Sequence, residues 1–527
     1  MAQRARIEKV DGEKRNNVAP IAPRKTRMEK LLDTVERVGN KVPHPVVIFV
    51  ILIAIVAVLS HILYRMGVSV TYEGINPDTD QLEQITTTAK SLLTGDGLRF
   101  MYEDVIKNFM AFNAVGVIIV AMLGVGVAEA SGLIDALIRK LVQIAPRKAL
   151  TYILVFVGIV SSIAADAGYL VLIPLGAAAF LSLRRHPLAG LAASFAGVAA
   201  VFSVNILIKP LDGILTGITN DAIHLLNPTV SIDLTANFWF SVASVFMLTI
   251  VVSVVTDKVV EPRLGKYTGE MPEHEGAQLT AEESRGLKYT VWALLGLLVF
   301  FGLLTIPRGA LLRNPETGAL IGSSPFMDGL IVFITIVFLV VGVAYGIGAG
   351  TIKGITDVTK AMEKAVSSLG GLIFLLFIIS QFLAIFTYSN IATLAAVKVG
   401  DALEHAGLGP LPLLVGFVGV VLLLDLLITG AIPKWAIFAP IFIPLLMRLH
   451  VRPEAVLAAY RVGDSPMNAV SPLNAYFALI VTFAHKYQKD AGVGTLVALM
   501  LPYVVTVSII WTLLLVAWQV LGLPWGL

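Results

Sequence analysis

The chain has no cysteine, which excludes disulfides, thiolate metal sites and cysteine nucleophiles. It is also poor in charge: Asp, Glu, Lys and Arg make up 14% of its 527 residues, against roughly 25% in a soluble globular protein. With 57% hydrophobic residues and a mean hydropathy of +0.83, a water-soluble fold is excluded. A net charge of +3 is too small to imply a nucleic-acid partner. Neither His-Glu-x-x-His nor Gly-x-Ser-x-Gly occurs, and the eight histidines are scattered mostly at loop ends, so no metal or nucleophile site of an intramembrane enzyme is visible. Gly346-Ile-Gly-Ala-Gly350 lacks the preceding strand and the Gly-Lys-Ser/Thr ending of a nucleotide loop and reads as close packing at a helix end.

What the chain does have is long apolar runs. About 20 apolar residues cross a bilayer, so the sequence predicts an all-α polytopic membrane protein. We expect about nine transmembrane helices plus two re-entrant helical hairpins in an inverted repeat, with two discontinuous helices. Residues 1 to 30 carry nine bases against four acids, whereas the 65 to 104 loop carries seven acids against three bases. The positive-inside rule then puts the N-terminus in the cytoplasm. Residues 1–42 form a basic cytoplasmic segment and 43–256 a first repeat. Residues 257–288 are a polar cytoplasmic linker, 289–306 a connector helix and 329–527 a second repeat.

Each repeat contains an apolar stretch too long for one half-helix and interrupted by small or polar residues. In the first, 149–183 reads as a hairpin with its tip near Asp166, and 188–226 as a helix broken between Ser203 and Gly213. In the second, 410–446 is a hairpin with its tip at Thr429 to Trp435, and 455–485 a helix broken between Gly463 and Pro472. Self-similarity supports the pairing. Pro187 to Gly197 and Pro453 to Gly463 are identical at six of eleven positions, and Ser203 to Pro210-Leu211-Asp212 matches Ser465 to Pro472-Leu473-Asn474. We also align Ile173-Pro174-Leu175 with Ile443-Pro444-Leu445, and Leu183-Arg184-Arg185-His186 with Met447-Arg448-Leu449-His450. An odd number of connector helices inverts the second copy.

Unpaired backbone at membrane depth persists only where protein or a water-filled cavity covers it. Inverted repeats with broken helices are the architecture of secondary transporters. Candidate residues follow from their cost in hydrocarbon. Asp166, in an apolar stretch, either carries a proton, stays ionised beside a cation, or caps the hairpin tip. Arg461, with its planar fork, suits a substrate carboxylate or sulfonyl group, or an ion pair with Asp464 or Asp166. Trp435 stacks on an aromatic ring of the substrate or packs the tip. Asp464 and Asp425 are candidates for coupling to an ion. Asn205, Asp212, Ser465, Asn468 and Asn474 supply further oxygens, with helix capping as the competing role. No cofactor is expected beyond a sodium ion, for which Asp464, Asp425 and Asn468 are the candidate ligands. Lys209 is either the counterpart of Asp425 in the first break or snorkels toward an interface.

The strings Ala-Ala-Asp166-Ala-Gly-Tyr, Pro433-Lys434-Trp435 and Tyr-Arg461-Val-Gly-Asp464-Ser-Pro-Met-Asn468 resemble the p-aminobenzoyl-glutamate transporter (AbgT) family over nearly the whole chain. The resemblance implies a bacterial inner-membrane homodimer of nine spans and two hairpins. It also implies movement of p-aminobenzoyl-glutamate, expulsion of sulfonamide antimetabolites on an ion gradient, and a substrate contact at Pro453. A sodium/dicarboxylate symporter would share the fold, but the paired Ser-Asn-Thr tips of that family are absent at both hairpins. A passive channel would not need two inverted hairpins.

Overall fold

The computed structural model describes residue 43 and residues 45–527, apart from 76–81, 145, 147, 164–167, 270–278, 322–323, 396, 399–408, 426–429, 472–473 and 475. The chain is helical almost throughout. Seven of its described helices are long and apolar enough to cross a membrane, and an eighth span results if the pair Val115–Ala130 and Leu133–Gln143, bent by 59°, counts as one. The bend falls at Ser131-Gly132, where Gly132 has φ +85°, a conformation that glycine adopts without a Cβ penalty. The broken segments do not pass this length test, because each of their arms is short.

The helices Asn113–Ala130, Ala281–Thr305 and Leu330–Ala349 pack side by side. Small residues let their backbones approach: a Cβ on Gly124 would meet the Thr335 carbonyl at 2.2 Å, and one on Gly342 would meet Ala128 Cα at 2.7 Å. This is the small-residue packing expected where lipid removes any hydrophobic drive between helices. Pro45–Arg65 lies against Gly370–Tyr388.

The segment expected as the first hairpin contains the helices Leu150–Val160 and Ile173–Ser182, and the broken span that follows contains Pro187–Phe195, a π-turn Ala196–Ala200 and, after the break, Pro210–Ile223. The second hairpin comprises Pro410–Asp425 and Ala431–Arg448, followed by Pro453–Asp464, a 3-10 turn Pro466–Ala469 and Phe477–His485. Pro187, Pro210 and Pro453 each open their helices, where a missing N–H costs nothing.

The two sets share local geometry at the sequence offset that separates Pro187 from Pro453. Arg184 and His450 both adopt φ +59°. The next N–H bonds reach back identically, Arg185 to Phe180 and Val451 to Leu446, at 2.9 Å in each case. This is the Schellman ending of a helix. Gly197 lies on Val155 and Gly463 on Val421, with no room for a Cβ at either contact. The geometry therefore pairs Arg184 with His450, and Pro174 with Pro440, a few positions away from the alignment by letter identity.

Three segments differ from expectation. The acidic loop contains an antiparallel hairpin, Ser69–Ile75 with Leu82–Thr88, whose strands are rich in β-branched residues. The residues from Lys353 to Lys364, whose charge reads as a short cytoplasmic loop, lie largely in an amphipathic helix, Ile355–Ser368, packed against Asn113–Ala130. The connector starts at Ala281 rather than Tyr289, because Thr280 and Glu283 form a capping box that begins the helix in the polar linker.

Candidate functional site

Six charged side chains are buried where the two breaks meet: Lys209, Arg461 and Lys434 against Asp212, Asp425 and Asp464. A buried ion is tolerable only when paired or hydrogen-bonded, so their contacts define the site.

At the first break, Lys209 N–H donates to Asp212 Oδ2 at 2.8 Å, closing the first turn of Pro210–Ile223. The other oxygen of Asp212 accepts from Arg461 Nη1 at 2.6 Å. Arg461 also donates from Nη1 to the Ser203 carbonyl at 2.7 Å and from Nε to Asn237 Oδ1 at 3.2 Å. The fork thus ties both breaks to the start of Phe238–Val255, and its carboxylate partner is Asp212 rather than Asp464.

Ser203 is the hinge point of the network. Its N–H donates to Ser465 Oγ at 3.3 Å and its hydroxyl to Asp464 Oδ2 at 3.4 Å. Asp464 Oδ1 pairs with Lys434 Nζ at 2.6 Å and accepts from the Tyr460 hydroxyl at 2.9 Å. Lys434 pairs with Asp425 as well. Asp425 Oδ2 has no hydrogen-bond partner among the described residues.

Trp435 is wholly buried. Its indole N–H donates to Leu215 O and Thr219 Oγ1 at 3.2 and 3.0 Å, and its ring lies 4.6 Å from that of Tyr460. At the corresponding position of the first hairpin, Tyr169 stacks on Tyr476 at 4.2 Å. Each hairpin therefore contacts the far arm of the other set's broken span. Asn205 donates to Val160 O and Ser162 Oγ, both at 3.0 Å. Ser465 Oγ donates to Arg461 O at 3.0 Å. Asn468 donates to Asp464 O at 2.8 Å, and Asn474 to Asn468 O at 3.0 Å. Pro453 opens its helix. Asp166 lies outside the described residues.

A cavity of about 800 Å³ opens beside this network, within the range of small-molecule sites. Lys209, Ser162, Tyr169 and Phe202 line it, with Glu129 and Lys364 exposed on its wall. Arg461, Trp435, Asp425 and Asp464 are not among its lining residues. Arg461 and Asp212 instead border a small recess with Asn205 and Asn237. Sequence reasoning did not place Lys434, Ser203, Tyr460 or Asn237 in the site. A signal existed for Lys434 alone, since two isolated carboxylates in apolar runs require a nearby cation.

Residues 30–527 match the AbgT putative transporter family. The chain belongs to that family. It is 36% identical over 504 residues to the p-aminobenzoyl-glutamate transport protein of Escherichia coli K12, covering 96% of this chain and 97% of that one. Among solved structures, the Alcanivorax borkumensis YdaH transporter superposes with a TM-score of 0.86 at 40% identity, covering 92% of this chain and 100% of that one. Neisseria gonorrhoeae MtrF, described as illuminating a class of antimetabolite efflux pumps, superposes with a TM-score of 0.88 at 39% identity, covering 94% and 99%. The AbgT membership and the apolar helices together make this a multi-pass membrane protein.

Proposed function

We propose that this AbgT protein is an ion-gradient-coupled secondary transporter of p-aminobenzoyl-glutamate-like compounds and sulfonamide antimetabolites, exporting them by alternating access. It would work as a homodimer in a bacterial inner membrane with its N-terminus in the cytoplasm. The observation that carries this reading is the buried charge network joining two helix breaks beside a cavity of about 800 Å³. The names of the relatives supply the solute class and a transporter rather than an enzyme.

The exposed cavity residues Glu129 and Lys364 sit on segments that the charge distribution assigns to the cytoplasmic side, which suits a state open inward. Asp425 and Asp464 are the coupling carboxylates in this reading. A proton needs one lone pair, and Asp425 Oδ2 offers one. A sodium ion needs a shell of oxygens, yet the Lys434 ammonium already stands between the two carboxylates, and Asn468 is committed to backbone carbonyls. Protons therefore fit the second break better than sodium.

The test is reconstitution in liposomes with pH and sodium gradients imposed separately, following labelled p-aminobenzoyl-glutamate and a sulfonamide. Concentrative movement on a pH gradient alone is expected. Dependence on sodium would overturn the choice of ion, and flux indifferent to both gradients would overturn coupling.

A further inference from the structure

Pairing the buried charges leaves one ammonium over. Asp212 is taken by Arg461 and by the backbone N–H of Lys209, while Asp425 and Asp464 share Lys434. Lys209 is 2% exposed, and no carboxylate lies within ion-pair distance of it among the described residues. Its ammonium donates to Ser162 Oγ at 3.2 Å and to the Phe202 carbonyl, which uses two of its three N–H groups. Lys209 and both of these acceptors line the large cavity.

A desolvated cation without a counter-ion among the described residues is poorly satisfied by two neutral acceptors. Its natural complement is an anion arriving from the cavity. We propose that Lys209 receives a carboxylate of the transported solute, making this end of the cavity an organic-anion site. The ligand class follows from the lining. A carboxylate meets Lys209 and Ser162, an apolar or aromatic body lies against Ile118, Met122, Leu372 and the Tyr169 ring, and a second acidic group suits the exposed Lys364.

This rests on the transport reading above, so the experiment measures binding separately from flux. Purified full-length protein is titrated with p-aminobenzoyl-glutamate, with its dimethyl ester and with neutral sulfanilamide, for wild type, Lys209→Met and Lys209→Arg. We expect the free acid to bind Lys209→Met roughly 30-fold or more weakly, with sulfanilamide unchanged and Lys209→Arg intermediate. Equal losses for acid and neutral ligand, or no loss at all, would overturn the site. If Lys209→Met does not fold, wild type decides: the ester must bind far more weakly than the acid, and equal affinities overturn the proposal. Wild type that binds the acid selectively but moves nothing across liposomes would sink the transport reading and leave the site standing. Wild type that does not bind the acid sinks the site.

Discussion

The first break presents an ammonium to a cavity, whereas the second encloses an ammonium between two carboxylates. The two are built on the same local frame, with a left-handed residue, a proline-initiated helix and a glycine contact at equivalent positions. Their local charge is opposite. Among the described residues, Lys209 stands without a carboxylate partner, and Asp425 and Asp464 outnumber Lys434. The two breaks thus share local backbone geometry, and a few different side chains give them opposite charge, which under the proposals above would suit an organic anion at one and a proton at the other.

The largest effect that can break this contrast is removal of Lys434. Lys434→Met leaves two uncompensated buried carboxylates and should destabilise the protein by about 3–5 kcal/mol, read as a lowered Tm in detergent. Asp425→Asn in the same chain should recover part of the loss. Lys209→Met removes an ion that has no carboxylate partner among the described residues, so its Tm should change far less. Equal Tm shifts for the two lysines would show that the breaks are not electrostatically distinct. Next is Arg461→Lys, which keeps the charge but cannot reproduce three contacts from one planar fork. The lost charge-assisted bonds, about 1.5–3 kcal/mol, predict a transport rate at least tenfold lower in liposomes.

Gly197→Ala and Gly463→Ala test the shared frame itself. The new Cβ would meet the Val155 carbonyl at 2.8 Å in one case and Val421 Cβ at 2.7 Å in the other. Overpacking of this kind costs about 1–3 kcal/mol. Similar losses by thermal unfolding support equivalent packing, and a loss at only one site would break the comparison. The smallest effect is expected for Trp435→Phe, which deletes the N–H bond to Leu215 and Thr219. It should cost about 0.5–1.5 kcal/mol and leave binding of the free acid intact, because the ring does not line the cavity.

The helix breaks were legible in the sequence because run length and small polar interruptions are one-dimensional signals, whereas the hairpin turns expected near Asp166 and Thr429 lie outside the described residues. The broken span expected at 188–226 occupies Pro187–Ile223, and that expected at 455–485 occupies Pro453–His485. Pairing was harder to read. Matching the letters Arg and His aligned Arg184 with Arg448's neighbourhood, whereas backbone geometry matches Arg184 to His450, a residue with different chemistry in the same left-handed turn. Lys434 was overlooked as a site residue because a lone lysine near a helix start resembles a snorkelling one, and only folding brings Asp425 and Asp464 to it. Asp212 was assigned a role but not a partner, since Arg461 lies far along the chain. The strand pair at 69–88 has a signal, the β-forming runs Val70-Thr71-Tyr72 and Ile85 to Thr88, that the acidity of the loop obscures.

The glycine contacts also restrict motion. With Gly197 resting on Val155, Gly463 on Val421, and the aromatics Tyr169 and Trp435 reaching crosswise to the opposite set, one arm has no slack in which to slide over its neighbour without main-chain atoms colliding. The same close approach recurs at an outer face, where a Cβ on Gly213 would meet Val117 Cγ1 of the helix Asn113–Ala130 at 2.3 Å, so that helix is tied to the block by the same device.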